Sequence, residues 1–164
     1  EIIQGVLCVN AAGYTPVDST LIPTGEIKPV VRTPFDFTTP TLIATFITAV
    51  YDQIQYGNGY DHNFVLNTKG DVSKLAALLS SPESGITLMV YTDEPGIQVY
   101  TGNFLDGTVT GKKGVKYEKR HAICLETQHY PDSPNKADWP SVVLRPGETY
   151  RSHTIYSFSA SKNK

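Results

Sequence analysis

The 164-residue sequence has few cysteines, few charged residues and no long apolar run. Its two cysteines, Cys8 and Cys124, are too few and too far apart for a disulfide-rich scaffold or a C-x-x-C site. They favour a reducing compartment, and we expect the cytoplasm. The longest apolar stretch, Thr41 to Val50, has about half of the roughly 20 residues that a membrane-spanning helix needs. We therefore expect no membrane partner.

Charged residues make up 18% of the chain, against about 25% in typical domains. The 14 Lys and Arg residues are scattered and nearly matched by 16 Asp and Glu, so no basic patch is expected for a phosphate backbone. Nucleic acid is therefore not an expected partner. No two histidines have metal-ligand spacing and no nucleotide-binding glycine motif is present, so no metal or other cofactor is expected. The histidines are His62, His121, His129 and His153.

Turn-forming and strand-forming residues dominate what remains. The chain has 13 Gly and 11 Pro, and its 18 Thr and 10 Tyr often stand in short runs with Val and Ile. This pattern predicts one all-β domain over residues 1–164, with sheets packed on each other. The predicted strands are Ile3 to Val9, His62 to Asn67, Ile86 to Thr92, Ile97 to Thr101, Ala122 to Thr127, Ser141 to Leu144 and His153 to Phe158.

Three segments have a less certain assignment. Thr41 to Val50 and Ser73 to Ser80 are short apolar runs that could be strands or helical turns, because periodicity does not separate the two at this length. The tail, Ser159 to Lys164, is expected to fray. The apolar strand predicted at the start of the chain needs a neighbouring strand for its backbone groups.

Glu126 is the first candidate functional residue. Alternation along its strand places Ile123 and Leu125 on one face, and Ala122, Cys124 and Glu126 on the other. Small apolar neighbours would exclude water from the carboxyl and raise its pKa above the usual value of about 4.3, as a general base requires. The alternative is a carboxylate at the end of a strand that faces solvent.

Asp61 and Gln98 are the second and third candidates. Asp61 follows Gly57 and Gly59 and enters a strand with His62 on the opposite face, so only one of the two can line a given pocket. Its carboxylate could accept hydrogen bonds from two sugar hydroxyls, or it could cap a turn. Gln98 shares a strand face with Tyr100, which suits either a hydroxyl-binding amide or a polar outer surface.

Six motifs in a fixed order resemble the C-terminal half of the galactose mutarotase, or aldose 1-epimerase, family. The resemblance covers nearly the whole chain. It implies part of an antiparallel β-supersandwich that binds a neutral hexose such as galactose or glucose and interconverts its α and β anomers without a cofactor. The motifs are YTPVDSTLIPTGEI at Tyr14 to Ile27, TPFDF at Thr33 to Phe37, GYDHNFVL at Gly59 to Leu66, EPGIQVYTGNFLDG at Glu94 to Gly107, CLETQHYPDSPN at Cys124 to Asn135, and LRPGETY at Leu144 to Tyr150.

The resemblance also implies a role for each candidate. Glu126 in LETQ matches the catalytic base of the family, Asp61 in YDHN matches its sugar-hydroxyl acceptor, and Gln98 in GIQVYTGN matches a substrate-contacting side chain. The catalytic acid His of the family, and the upstream His and Arg that hold the sugar, have no counterpart in this sequence.

Two hypotheses follow from that difference. In the first, the N-terminal half of the domain is absent from this chain, and a separate N-terminal fragment supplies the missing strands and the acid. In the second, this chain is a carbohydrate-binding module without catalysis. The first is favoured because half of a continuous sheet would leave apolar faces uncovered.

Overall fold

The structure, a computed structural model, describes residues 2–161 as ten short strands joined by turns and loops. One short α-helix, α1, spans Asp52–Gly57, and single 3₁₀ turns occur at Ile2–Gln4, Ile43–Thr45, Lys112–Gly114 and Ser133–Asn135. The predicted all-β class is confirmed. The strands are β1 Val6–Val9, β2 Ala11–Tyr14, β3 Lys28–Pro29, β4 Thr41–Leu42, β5 Asp61–Leu66, β6 Ala77–Ser80, β7 Ile86–Thr92, β8 Gly96–Tyr100, β9 Cys124–Gln128 and β10 Thr154–Ala160.

The strands form two five-stranded antiparallel sheets. Sheet A has the order β10-β7-β6-β1-β4, and sheet B has the order β3-β2-β5-β8-β9. Three threonines connect the two sheets at one end. The Thr154 hydroxyl lies 2.6 Å from the Thr127 hydroxyl and 3.0 Å from the Thr92 hydroxyl, and the Tyr156 hydroxyl donates to the Leu125 carbonyl at 2.8 Å. These bonds hold β10 of sheet A against β9 of sheet B.

The core lies between the sheets and is closed by aromatic side chains. The aromatic ring of Phe35 stacks on Tyr14 with centroids 4.5 Å apart, and it meets the edges of Tyr60 and His62 at 5.6 and 4.7 Å. Buried side chains alternate with polar ones along the strands of sheet B, as a sheet with one covered face requires. The buried core side chains of sheet B include Tyr14, His62, Phe64, Leu66, Ile97, Val99 and Leu125, and those opposite in sheet A include Leu7, Val9, Ala77 and Val90.

Five predicted strands are confirmed: β7 with the predicted bounds, and β5, β8, β9 and β10 with ends shifted by one or two residues. The strand predicted from Ile3 begins only at Val6, because Ile2–Gln4 forms a 3₁₀ turn that closes at Gly5. The ambiguous segment at 73–80 ends in β6. The one at 41–50 contains β4 and the 3₁₀ turn Ile43–Thr45, so it combines both predicted outcomes.

The strand predicted at Ser141 to Leu144 is wrong. These residues form an exposed, irregular segment between Pro140 and the Pro146-Gly147 turn. Val142 and Val143 have a high strand propensity, but propensity forms a strand only where a neighbouring strand supplies hydrogen bonds and a surface to pack against. Of the tail that was expected to fray, Ser159 and Ala160 complete β10, whereas residues 162–164 lie outside the described residues.

The inner face of sheet A is covered at one side and open at the other. Leu7, Leu79, Leu88 and Phe158 lie side by side in one row across β1, β6, β7 and β10. Leu7 is fully buried, whereas Phe158 is 67% exposed. The open end of this face, with Ile2, Ile86, Leu88 and Phe158, borders a groove of about 240 Å³. Within residues 2–161 there is no helix of the length and hydropathy needed to span a membrane.

We predict that His62 makes the fold acid-sensitive. Burial lowers the pKa of His62 from 6.5 to about 3, because a charged imidazole would be desolvated in the aromatic core. The unfolded chain takes up this proton below pH 6.5 and the folded chain does not, so stability should fall between pH 6.5 and 3, by up to about 1.4 kcal/mol per pH unit. Urea unfolding of the wild type and His62→Gln at pH 7, 5 and 4 measures this contribution.

His62→Gln should flatten the dependence of the unfolding free energy on pH, whatever its effect at pH 7. His121→Gln, which replaces an exposed histidine, is the matched control and should retain the wild-type slope. Equal slopes for His62→Gln and the wild type would show that His62 does not carry the acid sensitivity.

Candidate functional site

Strands β5, β8 and β9 lie side by side in sheet B, and their register places the three candidate residues on one face. Asn63 pairs with Gln98, and Gln98 pairs with Glu126. In the next row Asp61 pairs with Tyr100, and Tyr100 pairs with Cys124. Residues that are directly opposite have Cβ atoms about 5 Å apart, so these side chains form a continuous polar surface. We call it the polar face; its members are Asp61, Asn63, Gln98, Tyr100, Cys124, Glu126 and Gln128.

The polar face is the side of sheet B that points away from the core. Because successive side chains of a strand point to opposite sides, His62, Val99 and Leu125 lie buried beneath it. This arrangement confirms that Asp61 and His62 occupy opposite faces. It also confirms that Leu125 and Glu126 do.

Asp61 is half-buried and accepts a hydrogen bond of 2.8 Å from the Gln98 side-chain amide. Burial raises the pKa of the Asp61 carboxyl above its usual value, and the bond from Gln98 partly opposes this rise. The bond uses one lone pair of one oxygen, which leaves most acceptor positions of the carboxylate for a ligand. Two of the three predicted residues therefore touch each other.

Glu126 lies on the same face but is exposed to solvent. The expectation that small apolar neighbours exclude water from this carboxyl is wrong for the described residues, because the adjacent strand presents Gln98 and Tyr100 rather than apolar side chains. Spacing in a sheet puts the Cα atoms of Asp61 and Glu126 roughly 12 Å apart, two strands and one row away from each other. The amide of Gln98 lies between them.

Cys124 is next to Glu126 on the polar face and is a free thiol, as is Cys8. Burial raises the pKa of the Cys124 thiol, and the negative charges of Glu126 and Asp61 raise it further. A thiol in this position stays protonated at neutral pH and is a poor nucleophile. Covalent chemistry at Cys124 is therefore disfavoured.

None of the four histidines lies on the polar face, and each has another environment. His62 is in the core, and His129 contacts the buried carboxylate of Glu94 at 2.7 Å. His153 contacts Asp93 at 3.1 Å, and His121 accepts a backbone hydrogen bond from Glu118. Among the described residues no three His, Cys, Asp or Glu side chains come together as a metal site needs. The polar face of this chain therefore has carboxylates and amides but no imidazole.

Asn103, which was not among the predicted site residues, stabilises the loop that precedes Asp61. Asn103 is buried and donates to the carbonyls of Gly57 at 2.9 Å and Tyr60 at 2.7 Å, while its own oxygen accepts from Thr101. Gly59 has φ +138°, and a Cβ there would overlap the Asn103 amide. Gly59 thus allows the close approach of this loop to Asn103, whereas a Cβ at Gly57 would make only ordinary contacts. The carbonyls to which Asn103 donates lie 46 and 43 positions away in the sequence, so no local pattern predicts these bonds.

Asn63 and Gln128 were also missed as members of the polar face. The signal was present, because each lies two residues from a candidate and the period of a strand is two. Gln128 donates to Asn63 and to Gln98, as described below.

Two antiparallel sheets with carboxylates and amides on one open face form a β-sandwich whose surface chemistry suits a polyhydroxylated ligand. Residues 5–157 match the model of the aldose 1-epimerase family. The chain belongs to the aldose 1-epimerase family.

Curated relatives of similar sequence carry the names galactose mutarotase and aldose 1-epimerase. The chain is 47% identical over 152 residues to galactose mutarotase of Homo sapiens and 46% identical over 151 residues to that of Mus musculus, which in each case covers 92% of this chain and 42% of the relative. It is 43% identical over 157 residues to aldose 1-epimerase of Escherichia coli K12, covering 94% of this chain and 44% of the relative. The chain thus spans less than half the length of these relatives.

Solved structures agree with the sequence matches. The GalM/aldose epimerase homologue from C. elegans superposes with a TM-score of 0.80 at 30% identity, over 97% of this chain and 46% of that one. Galactose 1-epimerase from Lactobacillus acidophilus superposes with a TM-score of 0.75 at 28% identity, over 97% and 45%. The predicted galactose mutarotase-like sandwich is confirmed.

We predict that Asn103→Ala destabilises the fold by about 2 to 3 kcal/mol, because the buried Gly57 carbonyl loses its donor and the buried Thr101 hydroxyl loses its acceptor. The Tyr60 carbonyl keeps the donors of Thr101. Asn10→Ala is the matched control. Asn10 makes comparable side-chain bonds to Leu75 and Asn67, but at an exposed site, so its loss should cost only about 0.5 kcal/mol. Urea unfolding compares the two, and equal losses would contradict the role given to Asn103.

Proposed function

We propose that this chain is one part of an aldose 1-epimerase that interconverts the α and β anomers of a neutral hexose such as galactose or glucose. The polar face binds the sugar, with Asp61 and Gln98 at its hydroxyls and Glu126 at the anomeric hydroxyl as general base. The observation that carries the proposal is the shared face: one sheet register gathers the three residues that family resemblance connects with the sugar.

The chemistry needs a base and an acid at different ends of the anomeric centre. Glu126 takes the proton from the anomeric hydroxyl while an acid protonates the ring oxygen, so the C1 to ring-oxygen bond breaks and an aldehyde forms. Rotation about C1 to C2 exposes the other face of the carbonyl, and ring closure returns both protons. Each proton transfer of this kind contributes about 10²- to 10⁴-fold to the rate.

The charge of the polar face favours a neutral sugar. Its seven members include two carboxylates, three amides, a phenol and a thiol, and no lysine or arginine. A phosphorylated hexose would bring its own negative charge close to Asp61 and Glu126, which repel it at neutral pH. Hydroxyls, by contrast, can donate to the carboxylates and accept from the amides.

We propose that the remaining half of the domain is N-terminal to this part and covers two surfaces that this chain leaves open. One is the end of the inner face of sheet A around Phe158 and Ile86, where apolar side chains meet solvent. The other is the part of the polar face around Glu126, whose carboxyl is exposed in this chain. The matched relatives are more than twice as long, which leaves ample chain for both. The same half would supply the general acid.

A second candidate function is a carbohydrate-binding module without catalysis. The observation in its favour is that none of the histidines of this chain reaches the polar face. Such a module would keep Asp61 and Gln98 as hydroxyl-binding groups and would have no use for a general base.

We also propose that the protein is located in the cytoplasm, because its two cysteines are free thiols and a reducing compartment keeps thiols in this state.

Polarimetry of freshly dissolved α-galactose or α-glucose tests the proposal. The chain alone should not accelerate equilibration, whereas the chain together with its N-terminal half should. In that assembly Glu126→Gln should lower kcat by about 10²- to 10⁴-fold with little change in KM, because a base acts in the transition state. Glu118→Gln changes an exposed carboxylate outside both the polar face and the groove beside Phe158, so it is the matched control and should keep full activity.

Three outcomes would contradict parts of this account. Full activity of Glu126→Gln in the assembly would remove Glu126 as the base. Full activity of the chain alone would remove the need for a second half. Binding of galactose without any acceleration, even in the assembly, would establish the non-catalytic alternative.

A further inference from the structure

Three side-chain amides form a chain of hydrogen bonds that ends on Asp61. The Gln128 amide nitrogen donates to Asn63 Oδ1 at 3.3 Å and to Gln98 Oε1 at 3.2 Å. The Gln98 nitrogen in turn donates to Asp61 Oδ1 at 2.8 Å. Gln128 has not been connected with any role so far.

The direction of these bonds is fixed by the chemistry of the groups. An ionised carboxylate only accepts, so Gln98 must present its nitrogen to Asp61 and its oxygen to the other side. That oxygen needs a donor, and Gln128 provides one. If Gln98 were turned over, its oxygen would face the Asp61 carboxylate and its N–H groups would face those of Gln128. Both contacts would be repulsive.

The far end of the chain is anchored by packing. Asn63 is 2% exposed, and its side-chain oxygen lies against Gly96, one row further along the sheet, where there is no room for a side chain. A Cβ at position 96 would overlap the oxygen of Asn63 and approach the ring of Tyr130 at 2.9 Å. Asn63 therefore holds its oxygen in place for Gln128, and Gln128 is held from one side while it acts on Gln98.

We propose that Gln128 is a positioning residue for the sugar site, which fixes the side-chain amide of Gln98 so that it donates to Asp61. The consequence for the proposed function, on which this role in the reaction rests, is a carboxylate held in one orientation before the sugar arrives. A pre-oriented acceptor loses less conformational freedom on binding.

Titration of the Asp61 carboxyl carbon by NMR tests the proposal without sugar or turnover. Loss of the Gln98 bond should raise the Asp61 pKa, because that bond stabilises the charged form. Gln98→Leu should raise the midpoint by about half to one pH unit, a three- to tenfold change in the acid constant. Gln128→Leu should raise it in the same direction, since the Gln98 oxygen then lacks its donor and the freed amide spends less time in contact with Asp61.

The double variant gives the decisive comparison. If Gln128 acts through Gln98, then Gln128→Leu should add nothing to the Asp61 midpoint in a Gln98→Leu background. The other titratable groups near Asp61 are the same in all four proteins, so their charges cancel in the comparison. They are His62 on the same strand, Tyr100 on β8, and Cys124 and Glu126 on β9.

An unchanged Asp61 midpoint in folded Gln128→Leu, or an equal rise in the presence and absence of Gln98, would overturn the proposal. Gln128→Met, which keeps the length of the side chain, is the second variant if Gln128→Leu fails to fold. A measurement on the wild type needs no variant: the side-chain amide protons of Gln98 should exchange more slowly than those of the exposed Gln4, and equal rates would contradict the proposal.

These outcomes are separable from those of polarimetry. The titration reports only on the hydrogen-bond chain, so it can succeed even if the protein does not catalyse mutarotation. In an active assembly, Gln128→Leu should raise KM more than it lowers kcat, because Asp61 binds hydroxyls and the base is a different residue. A destabilised but otherwise intact site would leave the Asp61 midpoint unmoved.

Discussion

The structure depends on the two-residue alternation of side chains along β5, β8 and β9. One set of side chains enters the aromatic core, where burial of His62, Val99 and Leu125 fixes the register of the three strands. A shift of one residue would bring Asp61 and Glu126 into the core, at a high desolvation cost. The apolar face thus determines which residues meet on the polar face, so the site and the core are specified by the same pairing.

The two carboxylates of the polar face differ in how far this chain shields them from water. Asp61 lies deep enough for burial to raise its pKa, whereas Glu126 stands in solvent. The neighbouring strand does not shield the Glu126 carboxyl from water. On sheet A, the row from Leu7 to Phe158 likewise passes from a fully buried side chain to an exposed one.

The sequence predicts the elements that alternation and local turns control. It gave the all-β class, five strands and the opposite faces of Asp61 and His62, because these follow from a period of two. It failed at Ser141 to Leu144, where strand propensity had no neighbouring strand, and at the surroundings of Glu126, where the residues on the adjacent strand decide exposure. The bonds that the side-chain amides of Asn103 and Gln128 donate join residues 30 or more positions apart, and no local pattern contains them.

The central claim is that the sugar binds on the polar face of sheet B, and backbone-amide shift mapping with D-galactose tests it most directly. With isotopically labelled protein and saturating galactose, the account predicts the largest changes at residues 61–63, 96–100 and 124–128. Changes that cluster instead at the Phe158 end of sheet A, or around Glu94 and His129, would contradict it.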